Sequence, residues 1–420
     1  MGLFDLDRIE EIWITISRNK LRSFLTAFGV LWGIYMLTLM TGTGNGLKRG
    51  FVRGIDGFAN NSCYIGSAPT SMPYQGFQKG RTWSIHNSDL KILADSIPGI
   101  DLISPINYAP MFANNVVFEN RTGTFSVRGL YPNYAQIERQ HLTGGRFIND
   151  LDINQKRKVC VLGTKVAEEL FPGKENPINQ DIRINGIPFH IIGVTHGISD
   201  VNIAGVKLEN IIQVPLTTLQ QLYNLSDEVF VICATAKSQI PVSQVEEKIK
   251  VLLKKTNHIH PDDLRAVWSV NLEEEFNIYT NLFAGIDILI WIIGSGTLLA
   301  GIVGISNIML VTVRERTKEI GIRRALGASP GTIINQILME SLALTTIAGI
   351  PGLCLGVYTL FLADKYWLQN LDNVFFYKPM ITLGSAIVSL IILIIFGLLA
   401  GAIPAYRALR INTIDALRNE

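Results

Sequence analysis

The densest chemistry in the chain is the run RERTKEIGIRRALGAS, residues 314–329. Arg314, Glu315, Arg316, Lys318, Glu319, Arg323 and Arg324 stand close together there, with Gly321 among them. Such a set suits recognition of a charged partner. Read as a helix, it places Glu319 four residues before Arg323, the favourable order for an ion pair. Ile322 and Leu326 share a face, with Ala325 beside them. Gly327 is positioned to stop the helix. Ser329-Pro330 reads as the N-cap and first residue of the next one. A basic loop lying on anionic lipid explains the Lys and Arg residues. It does not explain Glu315, Glu319, Gly321 and Gly327, for which a protein-docking helix is the better reading.

Groups that could do catalysis are sparse. The sequence holds no G-x-x-x-x-G-K-[ST] phosphate loop, no H-E-x-x-H and no G-x-S-x-G. GTGNG (42–46) is glycine-rich, but no Lys-Ser/Thr pair follows in register. LTGGR (142–146) reads as a turn. His258 and His260, with Asp262 or Asp263, would touch a metal only with a further ligand cluster, and a surface turn is the better reading. Cys63, Cys160, Cys233 and Cys354 form no C-x-x-C; Cys160 and Cys233 fall in apolar runs, where a buried thiol is ordinary. We therefore expect a non-catalytic chain with no cofactor and no metal, and no Lys/Arg block dense enough for nucleic acid.

The elements that must hold the charged run are apolar. Of 420 residues, 48% are hydrophobic and 17% charged, below the usual quarter for soluble domains. Mean hydropathy is +0.28. Residues 23–47, 288–313, 341–363 and 379–406 contain no Asp, Glu, Lys or Arg. Each is long enough to cross a bilayer as a helix, which takes about 20 residues. Arg18, Lys20 and Arg22 precede the first, the run at 314–324 separates the second and third, and Arg407, Arg410 and Arg418 follow the fourth. Only Lys365 and Lys378 lie between the third and fourth. The positive-inside rule then places both termini and the charged run in the cytoplasm, in an inner (plasma) membrane protein.

The long segment between the first and second spans must lie outside. Strand-like runs KVCVLG (158–163), DIRING (181–186), FHIIGVTH (189–196), NIIQVPL (210–216) and VFVICATA (229–236) alternate with turn signals, and Asn185-Gly186 reads as a hairpin turn. Helical patterns interleave at 88–96, 164–171 and 242–256. Residues 271–291 lack glycine and proline before Gly285 and read as a stalk running into the second span. The fold class is thus a membrane protein: four transmembrane α-helices with a large α+β extracytoplasmic domain inserted between the first and second.

Small residues recur at four-residue spacing in every span: Gly29/Gly33, Gly296/Ala300/Gly304, Ala348/Gly352/Gly356 and Gly397/Gly401/Ala405. They mark faces where helices approach closely in lipid. No span carries a central charge of the kind that marks an ion pathway. Glu340, about seven residues inside the third helix, either pairs with an arginine of the charged run or is a solvated glutamate at the interface. Leu6, Ile9, Trp13 and Ile16 make an amphipathic in-plane helix of residues 1–20.

RERTKEIGIRRALGAS after SNIML resembles the inner-loop element of the MacB/FtsX-like permeases of ABC transporters. NKLRSFLTAFGVLWGI (19–34) is similar to the family's first span. RGLYPNYAQI and LTGGRFINDLD (128–152), with residues 158–194, resemble the MacB-type periplasmic core. GAIPAYRALRINTIDALRNE (401–420) resembles the family's closing pattern, with Thr413 where proline is usual. The resemblance implies a permease subunit of an export or mechanotransmission complex: ATP hydrolysis by a separate ATPase drives motion of the outer domain. It implies a second permease subunit, identical or paralogous, and an adaptor and outer-membrane channel as further partners beside membrane lipid. The expected parts are an in-plane helix (1–20), first span (21–45), outer core domain (46–280, with a strand-rich lobe at 110–205) and second span (281–313). A coupling helix (314–330), third span (331–363), outer loop (364–379), fourth span (380–405) and inner tail (406–420) follow. Residues 314–324 are the expected ATPase contact. The alternative is a transmembrane sensor whose outer domain binds a signal and whose inner loop recruits a signalling protein.

Overall fold

The computed structural model describes residues 20–55, 57–109, 114–173, 176–198, 207–368 and 376–410. The in-plane helix expected over 1–20 and the tail beyond 410 therefore fall almost wholly outside the described residues. The chain divides into two compact units, residues 51–281 and the remainder.

The inserted unit is built on an eleven-stranded sheet. Its strands are β1 (Ser62–Ser67), β2 (Ile100–Tyr108), β3 (Asn114–Phe118), β4 (Arg121–Leu130), β5 (Gln140–Gly145) and β6 (Val159–Gly163). They continue as β7 (Asp181–Ile184), β8 (Ile187–Gly197), β9 (Ile211–Pro215), β10 (Val231–Ala236) and β11 (Val267–Asn271). The order is β9-β6-β8-β7-β3-β4-β2-β10-β1-β11, with β5 on β8. Parallel pairing of β9 with β4, Ile212 opposite Val127, closes six of these strands into a barrel. Closure removes sheet edges that would otherwise be open. The β7–β8 turn is Asn185-Gly186, with φ of 49° and 83°, the paired positive values of a type I′ hairpin.

Alternation along each strand sets the cores. In β1, Cys63 and Ile65 face a core roofed by the helices Asn87–Ser96 (α1) and Val242–Thr256 (α2), through Leu93, Val245 and Ile249. Tyr64 faces the opposite core with Ile106, Tyr134 and Cys233. That second core holds a buried ion pair, Arg128 Nη1 to Glu138 Oε2 at 2.8 Å. Burial opposes the charge on Arg128, but the Glu138 carboxylate outweighs it and raises the guanidinium's pKa. The barrel interior is filled by Val127, Leu162, Ile182, Phe189 and Ile212.

Four helices of the other unit are long and apolar enough to cross a membrane. The first is Lys20–Ile55, followed after the inserted domain by Leu272–Glu315 (α3). A short helix, Thr317–Ala325 (α4), leads to Pro330–Ala363 (α5) and Leu383–Leu409 (α6). α3 is one uninterrupted 44-residue helix. Its start is capped by Asn271, whose Oδ1 accepts from Glu273 N at 3.0 Å and Glu274 N at 3.2 Å. Glu273, Glu274 and Glu275 in the first turn complement the helix dipole.

Glycines bring the apolar helices together. A Cβ at Gly352 would lie 2.5 Å from the Leu31 carbonyl oxygen, and one at Gly401 2.9 Å from Ser341 Cβ. At Gly33 it would lie 3.2 Å from Leu298, and at Gly397 3.1 Å from Thr345. Gly356 abuts Thr38, and Gly29 lies beside Gly301. Ser341 Oγ donates to the Gly397 carbonyl at 2.7 Å, adding a polar link between α5 and α6. In α3 the closely packed glycines are Gly294 and Gly301; Gly304 is half-buried, and Gly296 and Ala300 are exposed. Four-residue spacing in sequence identifies a small face without saying what covers it.

Candidate docking helix

Two links hold the charged run in shape. Arg316 breaks the helix between α3 and α4, and its backbone N–H donates to the Thr312 carbonyl at 3.0 Å. At the far end α4 stops at Leu326, and Gly327 takes a φ of +95°, a left-handed value that favours glycine. Ser329 then caps α5, accepting from Thr332 N at 3.3 Å, with Pro330 in the first turn. Helix α4 is thus a rigid step between two long helices.

The side chains of α4 fall into two sets. Arg316 Nη1 lies 3.4 Å from Glu340 Oε1 on α5. Arg323 Nη1 donates to Gln336 Oε1 at 2.8 Å, and Gln336 Nε2 donates to Glu340 Oε1 at 3.2 Å. Arg323 Nη2 also pairs with Glu319 at 2.6 Å. Arg324 Nη1 donates to the Leu409 carbonyl at 3.0 Å, a partly buried acceptor in the last turn of α6. Gly321 is buried, and Ile320 packs onto the core containing Val313, Ile333 and Ile337. Arg316, Arg323 and Arg324 therefore fasten α4 to α5 and α6, and Glu319 braces Arg323 from within α4. Glu340 is paired rather than simply solvated.

Arg314, Glu315 and Lys318 are exposed, as are Ile322, Ala325 and Leu326. Leu326 is 83% exposed. The run thus contributes one face to internal fastening and offers a second face of mixed charge and apolar contact. Sequence spacing proposed the Glu319–Arg323 pair. The Gln336 and Leu409 partners are distant in sequence and carry no local signal.

Other sequence candidates do not assemble into a site. Asp263 is fully buried, and its carboxylate accepts from Ser71 N at 2.6 Å and Ser71 Oγ at 2.7 Å. His258 Nδ1 faces Gln75 Oε1 at 2.8 Å, and His260 Nδ1 lies 3.9 Å from Asp262. Among the described residues no three His, Cys, Asp or Glu groups gather closely enough to hold a metal ion. The four cysteines are free thiols, and Cys63, Cys160 and Cys233 are buried.

Residues 23–252 match the MacB-like periplasmic core domain, and residues 291–413 the FtsX-like permease C-terminal domain. The chain is 27% identical over 419 residues to the macrolide export ATP-binding/permease protein MacB of Bdellovibrio bacteriovorus, covering 99% of this chain and 62% of the relative. It is 27% identical to the pyoverdine export ATP-binding/permease protein PvdT of Pseudomonas syringae pv. tomato, covering 99% and 60%. The chain thus spans about three-fifths of the length of these relatives. The periplasmic region of MacB from Actinobacillus actinomycetemcomitans aligns with a TM-score of 0.44 and 18% identity, covering 55% of this chain and 97% of that one. With the core-domain match extending over more than half of its residues, the chain belongs to the MacB/FtsX-like ABC permeases.

Proposed function

We propose that this ABC permease receives the stroke of a partner ATPase on helix α4 and passes it through α3 to the inserted domain, which lies outside the membrane. One observation carries the reading. Helix α4 is fastened by Arg316, Arg323 and Arg324 to α5 and α6, while its other face exposes Lys318, Ile322 and Leu326. A surface that moved independently would transmit nothing, and a fully packed one would have nothing to receive. The continuous α3 supplies the path between α4 and the inserted domain. The ATP-binding/permease names of the relatives support an ATPase as the partner and export as the process. In this reading both termini and α4 face the cytoplasm, where ATP is.

The exposed apolar pair is the most direct test. Ile322→Glu with Leu326→Glu places two carboxylates in the proposed contact without touching the fastening arginines. The expected result is loss of ATPase co-purification and of export, with the permease still inserted and folded. Unchanged assembly and export in that variant overturn the docking role.

A further inference from the structure

Strands β5 (Gln140–Gly145) and β8 (Ile187–Gly197) run antiparallel, and their register sets His141 directly opposite His196. Residues opposed in this way put both side chains on one face of the sheet, with Cβ atoms about 4.5–5.5 Å apart. Both histidines are exposed, so packing does not hold their rings apart. Two imidazoles on adjoining strands can therefore converge on one ion, at the usual nitrogen–metal distance of about 2.0–2.1 Å.

The surroundings of His196 prepare it as a ligand. Its Nδ1 lies 3.3 Å from Glu209 Oε1 and 3.3 Å from Thr164 Oγ1. Lys165 Nζ, 3.5 Å from Glu209 Oε2, holds the carboxylate by its other oxygen. An ionised carboxylate only accepts hydrogen bonds, so Nδ1 carries the proton and Nε2 keeps its lone pair. This is the arrangement that stands behind metal-bound histidines: the carboxylate orients the ring and makes its free nitrogen more basic.

The backbone beneath the pair is fixed. Thr195 Oγ1 lies 3.2 Å from both the His141 carbonyl oxygen and Gln140 Oε1. Gln213 Nε2 donates to the same Gln140 oxygen at 2.8 Å. β8 is also paired with β6, Gly163 opposite Thr195. Strand pairing and these polar links hold the two Cα positions, and only the rings have to turn.

We propose that His141 and His196 form a two-imidazole site for a divalent transition-metal ion, with Glu209 positioning His196 and water completing the coordination. Imidazole nitrogens suit Cu2+, and after it Ni2+ or Zn2+, better than the oxygen-seeking Mg2+ and Ca2+. The site takes two protein groups, in keeping with the lack of any three-group cluster among the described residues. Among the described strands β5 pairs with β8 alone, so a bound ion would staple β5 to the barrel.

The test uses the untagged full chain in detergent, carrying Cys354→Ser to remove the exposed thiol, with Cu2+ as the probe. The tightest class of binding should be one ion per chain, with the electron paramagnetic resonance splitting of two coordinated nitrogens. His141→Ala and His196→Ala should each abolish that two-nitrogen signal; both side chains are exposed, so neither change disturbs the core. Glu209→Gln should keep the signal and weaken binding by about tenfold. His258→Ala with His260→Ala, the other closely spaced histidines, should change neither. With free Cu2+ at 100 times the dissociation constant, hydrogen exchange at the β5 amides should slow by about 100-fold, and His196→Ala should remove that protection. No binding, a two-nitrogen signal that survives either single histidine change, or its loss with the His258 and His260 pair overturns the site. Unchanged affinity in Glu209→Gln overturns the positioning role of Glu209.

Discussion

Two buried charges do structural work that their neighbours in sequence do not reveal. Burial alone would raise the Asp263 carboxyl, but hydrogen bonds from Ser71, Met72 and Arg265 outweigh it and hold the pKa at about 2, against an ordinary 3.8. Because the folded value lies below the unfolded one, the stabilisation is complete above about pH 4 and lost as pH falls through about 2. It amounts to about 2 kcal/mol. Asp263→Asn at neutral pH should therefore speed hydrogen exchange at the Ser71 and Met72 amides by a corresponding amount; unchanged exchange refutes the anchor. Arg128 is the second case, 2% exposed and paired with Glu138. Arg128→Met alone leaves a buried carboxylate and should cost about 3–5 kcal/mol. Adding Glu138→Leu should recover most of that in thermal unfolding. Strictly additive losses would show that the pair is not the unit of stability.

At the scale of elements, close approach of helices depends on which glycine lies under which neighbour. A side chain at Gly352 meets the Leu31 backbone, which cannot yield without moving a helix, whereas a Cβ at Gly296 meets nothing within 4 Å. Gly352→Ala should destabilise the detergent-solubilised protein by about 1–3 kcal/mol, and Gly296→Ala should leave the single chain unchanged. Equal melting shifts for the two would contradict this packing. Helix α4 was readable from its sequence because its limits are local: the Gly327 stop and the Ser329-Pro330 start act over a few residues. The division of its charges into a fastening set and an exposed set was not readable. It depends on Gln336, Glu340 and Leu409, which only the packed helices bring into reach.

For the whole molecule, the proposed orientation puts Ala328 and Gln75 on opposite sides of the membrane. The thiols of the inserted domain are buried, and burial, with Glu246 adding to it, pushes Cys63 up to about 12, so background labelling there is low. A membrane-impermeant maleimide applied from outside should label Gln75→Cys and spare Ala328→Cys; the reverse pattern would invert the reading. The sequence by itself determined the four apolar helices, the domain inserted after the first, and five of that domain's strands with the turn at Asn185-Gly186. Those features follow from charge-free length, residue periodicity and backbone preference, all of which act locally. Only the tertiary structure decided the parallel closure of β9 on β4, the glycines that meet a neighbour, the role of Asp263 as an anchor, and the face of α4 left free. Each of these joins residues far apart in the chain, and no local preference encodes which distant partner a side chain will reach.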